Sequence, residues 1–364
     1  MRVALVHDWL TGMRGGEWVL WEIARMFPDA PIYTLVHRPG SIDADLEAHR
    51  IHTSWLQLPS FGGRKWRFLL PAMPAAMETF SFPDADLVIS SSHCVAKGVI
   101  PPPGAFHLSY VHTPMRYAWD QRSLYLRRMP RIFLPMVEAR LARLRQWDMV
   151  SSARVDRLIA NSHLVAWRIR HYWNREAEVI PPPVDTDFFS PGGERGDALL
   201  TVAALVPYKR VEVAIAVAER LGRKLEIVGT GPRMASLRRL AGPNVRFLGW
   251  LDRSGLRDAY RRAAALLVPN IEDFGMVTVE AMACGTPAVG LAASGTADIV
   301  RDGRDGVLAP DSDLDSLVEA TRTALDRDWD RRVLRRRSLT FSREKFRERF
   351  RFLLDRMGFG RALG

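Results

Sequence analysis

Cysteine is scarce in this chain. Only Cys94 and Cys284 occur among 364 residues, far apart and with no CxxC pair, which argues against a disulfide framework and, in the absence of clustered histidines, against a zinc site. No uninterrupted apolar stretch approaches the roughly 18 residues that a membrane span requires. The first residues, MRVALVHDWL, hold a four-residue apolar run before His7 and Asp8, so they are expected to form a buried strand and not a signal peptide, leaving the protein on the cytoplasmic side. Short repeats and low-complexity segments are missing. Lysine is nearly so, with five against 47 arginines in a chain of net charge +11.

Hydrophobic residues make up 47% and charged residues 26%, the composition of a soluble globular protein long enough for two ordinary domains. Short apolar runs alternate with longer helical ones throughout, the pattern of α/β folds with mostly parallel sheets. Strands are expected at 3–6, 32–35, 87–90, 108–111, 158–160 and 177–180, with helices at 17–27, 133–148 and 164–172. Proline, glycine and charge then cluster at 181–185 and 188–196, a linker composition. A second alternating series follows, with strands at 199–203, 225–228, 245–248, 265–268, 288–291 and 307–308. The segment 341–357 carries a helical apolar stripe through Phe341, Phe346, Phe350, Leu353 and Leu354.

The positive charge is uneven. Arg116, Arg122, Arg127, Arg128, Arg131, Arg140, Arg143 and Arg145 interleave with Tyr125, Leu126, Ile132, Phe133, Leu134 and Met136, a basic amphipathic surface suited to anionic lipid headgroups. Segment 61–80, with Arg64, Lys65, Trp66, Arg67, Phe68 and Leu69, is a second candidate. No RNA-binding aromatic signature, helix-turn-helix or zinc module is present, so nucleic acid is not the expected partner. The bland alternative is genomic arginine bias on solvated faces.

Residues 271–299 read IEDFGMVTVEAMACGTPAVGLAASGTADI. The apolar run 263–269 before them predicts a buried strand, and 276–284 has helical spacing stopped by Gly285, Thr286 and Pro287. Glu272 then falls in the loop past the strand's carboxyl end and Glu280 on the helix. In open α/β sheets ligands sit at such ends, and two ionised carboxylates suit the vicinal hydroxyls of a sugar. Gly275 lets the backbone approach a ligand closely, and the free N–H groups of the helix start can face an anion.

This string, with Phe274-Gly275 between the glutamates and Glu280 to Pro287 after them, resembles the signature of family 4 retaining glycosyltransferases. The resemblance implies the GT-B fold: two Rossmann-like, doubly wound α/β domains facing a central cleft. It implies an acceptor-side domain over 1–183, a nucleotide-sugar domain over 184–340, and a terminal helix over 341–364 crossing back to the first domain. It also implies that Glu272 contacts hydroxyls of the donor sugar and Glu280 the nucleotide ribose, with Phe274 and Gly275 beside them.

Other segments extend the likeness. Gly15 and Gly16, between the first strand and its helix, can wrap N–H groups around a diphosphate and resemble the family's glycine-rich first loop; Asp8 is expected at the same mouth, ordering an acceptor hydroxyl. Lys209 stands at a strand-to-helix turn suited to phosphate oxygens. Ala204 occupies the position where the family pattern has an arginine, and Arg210 is expected to supply the second phosphate contact. Gly229 and Gly231, in Gly229-Thr230-Gly231-Pro232, resemble the turn that lines the base side. His112, past the strand 108–111, is expected to hydrogen-bond the donor hexose, its neighbouring carbonyl stabilising positive charge as the glycosidic carbon opens. The string from His112 to Asp120, with Ala160-Asn161-Ser162 and 179–185, is similar to a subgroup of bacterial mannosyltransferases of polysaccharide and O-antigen assembly.

The expectation is therefore a retaining transferase moving a hexose, foremost mannose from GDP-mannose, onto a hydroxyl of a lipid-linked glycan while held at the inner face of the plasma membrane. A UDP-sugar donor is the alternative. The pairs Asp84/Asp86 and Asp311/Asp313 fall outside the motifs assigned to the site, so no metal or other cofactor is expected, and Lys209, Arg210 and the Gly15-Gly16 loop must stabilise the departing diphosphate. Domain closure about the linker would exclude water. Two rivals from other classes are a hydrolysing nucleotide-sugar epimerase and a non-catalytic basic protein binding membrane or nucleic acid.

Overall fold

The computed structural model describes residues 1–57, 65–127 and 129–360, with the backbone alone at 65–68. The chain divides into two compact units, Met1–Pro181 with Arg347–Gly364, and Pro182–Phe346.

The first unit is built on seven strands: β1 (Val3–His7), β2 (Ile32–Thr34), β3 (Ile51–Thr53), β4 (Leu87–Ser92), β5 (Phe106–Val111), β6 (Arg157–Ala160) and β7 (Glu178–Val179). Their order is β3-β2-β1-β4-β5-β6-β7, and every adjacent pair is parallel. Parallel strands covered on both faces are mostly apolar; β4 (LVISSS) and β5 (FHLSYV) are almost wholly buried, with Ser90 Oγ of one bonded to His107 Nε2 of the other at 2.9 Å. The strand order reverses between β1 and β4, and the carboxyl ends there form the topological switch point.

Helix Gly15–Met26 returns the chain from β1, burying Val19, Leu20 and Ile23. The helix Leu134–Ala153 lies beside a buried ion pair: Lys97 Nζ meets Asp148 Oδ1 at 2.9 Å, Trp119 and Trp173 each donate to Asp148 Oδ2 at 2.8 Å, and Lys97 stands over the rings of Trp147 and Trp173. Residues beyond Arg347 belong to this unit, where Arg347 pairs with buried Glu22 at 2.9 Å and Phe359 packs on Phe106.

The second unit has six strands: β8 (Leu199–Val202), β9 (Leu225–Val228), β10 (Val245–Gly249), β11 (Ala265–Leu267), β12 (Ala288–Leu291) and β13 (Gly306–Ala309). All are parallel, in the order β10-β9-β8-β11-β12-β13. The switch point lies between β8 and β11. Both units are thus Rossmann-like sheets with crossover helices.

Several arginines act as staples. Arg337 donates to the carbonyls of Asp298 and Ile299, Arg195 to Gly285, and Arg335 to Thr186 and Phe189. Part of the net positive charge is therefore spent on loop carbonyls, where a planar fork of donors suits the geometry.

Candidate functional site

At the switch point of the second unit, the loops leaving β8 and β11 are tied together by charge. Lys209 Nζ donates to both carboxylate oxygens of Glu272, at 2.6 and 2.8 Å. Burial works against the lysine's charge, but Glu272 outweighs it and holds the ammonium pKa above its ordinary value. The backbone of Glu272 is fixed from β12: its N–H donates to Ser294 Oγ at 2.9 Å, and its carbonyl accepts from Gly295 N at 2.9 Å. Gly295 lies so close that a Cβ there would sit 2.2 Å from the Asp273 carbonyl oxygen. Ser294 and Gly295 were missed in the sequence, where a small-residue triplet after a strand is an ordinary turn.

Gly275, at φ +99°, turns the chain into helix Met276–Ala283, a conformation that favours glycine. Glu280 lies on this helix and accepts a 2.7 Å hydrogen bond from Tyr260 Oη. Burial raises its pKa, and the tyrosine bond opposes that rise in part. Tyr260 was not foreseen as a partner, since it lies on helix Arg253–Arg262 with no motif around it. Gly229, at φ +133°, and Gly231 pack against the loop after β8: added Cβ atoms would come within 1.9 Å of the Ala203 carbonyl oxygen and 2.5 Å of that of Leu205.

Two expected donor-site side chains have other partners. The Phe274 ring is 3% exposed and packs edge-on against Phe341 at 5.6 Å, because an apolar ring gains more in that core than in a polar mouth. Arg210 is committed to carbonyls, with Nη1 on Pro269 at 3.3 Å and Nη2 on Ser312 at 2.7 Å. Its guanidinium braces this loop instead of standing open for a phosphate.

In the first unit the loops leaving β1, β4 and β5 bring His7, Asp8, His93 and His112 together. Asp8 is fully buried. Its carboxylate accepts from the backbone N–H groups of His93, Cys94, Val95 and Ala96 at 2.6 to 3.0 Å and pairs with His93 Nδ1 at 3.0 Å. Burial alone would raise its pKa; His93, with this bonding, holds it far below the usual carboxylate range. With its oxygens so occupied, Asp8 orders the loop after β4 and not an acceptor hydroxyl. The same contact raises the pKa of His93 against the opposing effect of burial.

His112 accepts or donates a 2.8 Å bond with Ser91 Oγ, and its carbonyl takes a bond from Asn161 Nδ2 at 2.9 Å. Burial, with His93 and His7 nearby, pushes its pKa well down, so the ring is neutral near pH 7. Gly16, in the first turn of helix Gly15–Met26, lies beside it: an added Cβ would stand 3.6 Å from His112 Nε2 and 3.5 Å from His7 Cε1. Gly15 precedes it as the first residue of that helix. His7 is completely buried and neither ring nitrogen has a hydrogen-bond partner; Glu17 Oε1 approaches to 3.8 Å. His7 and His93 were missed, since isolated histidines carry no spacing signal.

Among the described residues, no three His, Cys, Asp or Glu side chains gather as a metal site. Asp84 and Asp86 hold Arg2, and Asp313 caps helix Leu314–Leu325. Of the basic surface, Arg116, Arg122 and Arg145 are engaged with Asp120, Glu138 and the Ala118 carbonyl; Arg128 and Arg64 lie outside the described residues, as do the side chains of Lys65, Trp66, Arg67 and Phe68. No helix among the described residues is long and apolar enough to cross a membrane.

Comparison with known proteins adds three findings. Residues 13–188 match the family model described as Glycosyltransferase Family 4, and residues 196–327 match that of Glycosyl transferases group 1. A D-inositol 3-phosphate glycosyltransferase of Kribbella flavida is 33% identical over 199 residues, 45% of this chain and 47% of the relative; the chain spans about half the length of the curated relatives it matches. Among solved structures, Anabaena HepE in complex with UDP aligns with TM-score 0.70 at 16% identity, covering 98% of this chain and 100% of that one. Sucrose-phosphate synthase from Thermosynechococcus elongatus aligns at TM-score 0.73 and 17% identity, covering 98% and 99%. The fold is that of GT-B glycosyltransferases.

Proposed function

We propose that this chain, which carries a Glycosyltransferase Family 4 domain followed by a Glycosyl transferases group 1 domain, is a retaining hexosyltransferase using a nucleotide diphosphate sugar. The observation that carries the reading is the Lys209–Glu272 pair at the switch point of the second sheet. A lysine held in its charged form there can neutralise a departing diphosphate, while the carboxylate beside it accepts from sugar hydroxyls. Glu280, anchored by Tyr260, is placed to accept from ribose hydroxyls. In the first unit, His112 is a neutral imidazole of the kind that can bond a sugar hydroxyl. Attack by the acceptor hydroxyl on the face that the diphosphate leaves retains the anomeric configuration without an enzyme nucleophile, and no metal enters this scheme.

For the donor we favour GDP-mannose and for the acceptor a hydroxyl of a lipid-linked glycan met at the cytoplasmic face of the membrane, through exposed side chains such as Arg127, Arg131, Ile132, Phe133, Arg140 and Arg143. The second reading is a UDP-sugar donor, favoured by the likeness to HepE, whose structure holds UDP. A soluble inositol phosphate acceptor is favoured by the names of the curated relatives.

A panel of labelled GDP-mannose, UDP-glucose and UDP-N-acetylglucosamine, each offered with bacterial lipid extract or with inositol phosphate in the presence of EDTA, separates these. Label entering lipid from GDP-mannose supports the first reading. Transfer from a UDP-sugar, or onto inositol phosphate, replaces that donor or acceptor. Sugar isomerised without acceptor identifies an epimerase instead, and activity abolished by EDTA overturns the metal-free scheme.

A further inference from the structure

A cavity of about 400 Å³ opens in the first unit, away from the polar residues described above but sharing one wall with them. Its lining is apolar and includes Trp9, Met73, Leu126, Met129, Val137 and Leu141. Cys94 Sγ and Tyr117 Oη, also on the wall, bond each other at 3.0 Å, so this pair makes no demand on an occupant. Met73 is 2% exposed and belongs to the core, whereas Leu126, Met129, Val137 and Leu141 are only half-buried.

The stretch that forms this wall also carries exposed apolar side chains: Ile132 is 82% exposed, and Phe133, Met136 and the lining residue Tyr125 are about half exposed. Arg127, Arg131, Arg140 and Arg143 are exposed on the same stretch, and among the described residues their side chains show no hydrogen bond or ion pair. An apolar cavity whose wall segment also carries these exposed cations matches an amphiphile with a hydrocarbon chain and an anionic head. Trp9 connects this slot to the polar site, since its ring meets His93 edge-on at 4.4 Å between centroids.

We propose that this cavity binds the hydrocarbon chain of an anionic lipid, with its phosphate against the Arg127–Arg143 face. The proposal rests on the reading that the acceptor is lipid-linked, and it assigns that acceptor's chain a place in the first unit. The assignment of glycosyl transfer does not depend on it.

The test is calorimetric binding of butyl, octyl and decyl phosphate, below their micelle concentrations, to the full chain without any nucleotide sugar. Affinity should tighten roughly tenfold for every two added methylenes, as burial of CH2 groups requires, until the slot is filled. Leu126→Trp should remove that chain-length dependence. Because a filled slot can disturb folding, the surface double variant Arg131→Glu/Arg140→Glu serves as a second probe: it should weaken all three ligands by a similar factor while keeping their dependence on length. Equal affinity for the three phosphates, or length dependence unchanged in Leu126→Trp, overturns the proposal. Failure here leaves glycosyl transfer standing. Conversely, Glu272→Gln should lower transfer by about a hundredfold to a thousandfold while alkyl phosphate binding persists.

Discussion

Lys209 Nζ bridges the two oxygens of Glu272 across the switch point of the second sheet, at 2.6 and 2.8 Å, and so joins the loops after β8 and β11. A pair of this kind holds a cation in place for an anionic leaving group before that group arrives. Lys209→Ala should lower kcat by about a hundredfold to a thousandfold, the usual effect of removing one preorganised charge. Glu272→Gln should lower kcat similarly and raise the donor KM. Steady-state rates at saturating acceptor check both, and unchanged kcat in Lys209→Ala contradicts the role given to the pair.

Glu280 has a raised pKa because it is buried, and Tyr260 holds the rise in check. Its ionised form is the one that accepts from hydroxyls, so donor KM should increase as pH falls through that raised pKa. Tyr260→Phe removes the opposing bond and should move this increase to higher pH. Donor KM profiles from about pH 5 to about pH 8 report the displacement.

The Asp8–His93 contact gives stability a pH dependence of known sign. The folded pKa of His93 lies above its ordinary 6.5, so its contribution is complete below that unfolded value and is lost as pH rises through the folded one. Asp8 has a depressed pKa, and its contribution is lost only as pH falls well below the ordinary carboxylate value. Thermal midpoints should therefore drop on the alkaline side of neutrality in the wild type and not in His93→Gln.

Lys97 and Asp148 are both buried and hold one another at 2.9 Å. Lys97→Met should cost about 3 to 5 kcal/mol, because it leaves a carboxylate uncompensated in the core. Lys97→Met/Asp148→Leu should recover much of that loss. Denaturant unfolding of the three proteins measures the difference.

Gly229→Ala should be more damaging than an ordinary turn substitution. The backbone there sits at φ +133°, and the new Cβ would fall 1.9 Å from the Ala203 carbonyl oxygen. A loss of about 3 kcal/mol is expected, visible as a lowered unfolding midpoint even without substrate.

The sheets were legible in the sequence because buried parallel strands must be apolar on both faces: 87–90, 108–111 and 288–291 have few other states open to them. β3, Ile51–Thr53, escaped notice because it is a short edge strand, half-exposed and polar at one end. The apolar run 263–269 and the helical spacing of 276–284 likewise placed Glu272 and Glu280 on adjoining loop and helix from local pattern alone.

What the sequence could not decide was which polar groups remain open. Asp8 and Arg210 carry the residue types of a ligand site, yet Asp8 is consumed by four backbone N–H groups of the β4 loop and Arg210 by the carbonyls of Pro269 and Ser312. Phe274 stands inside the motif and turns its ring into the core. His93, Tyr260 and Ser294 became visible only once strands distant in sequence were set side by side. Strand and helix identity follow from patterns a few residues long, which the sequence holds in full. The partner of a polar side chain is fixed by contacts across 20 to 102 residues of chain, and only tertiary packing determines those.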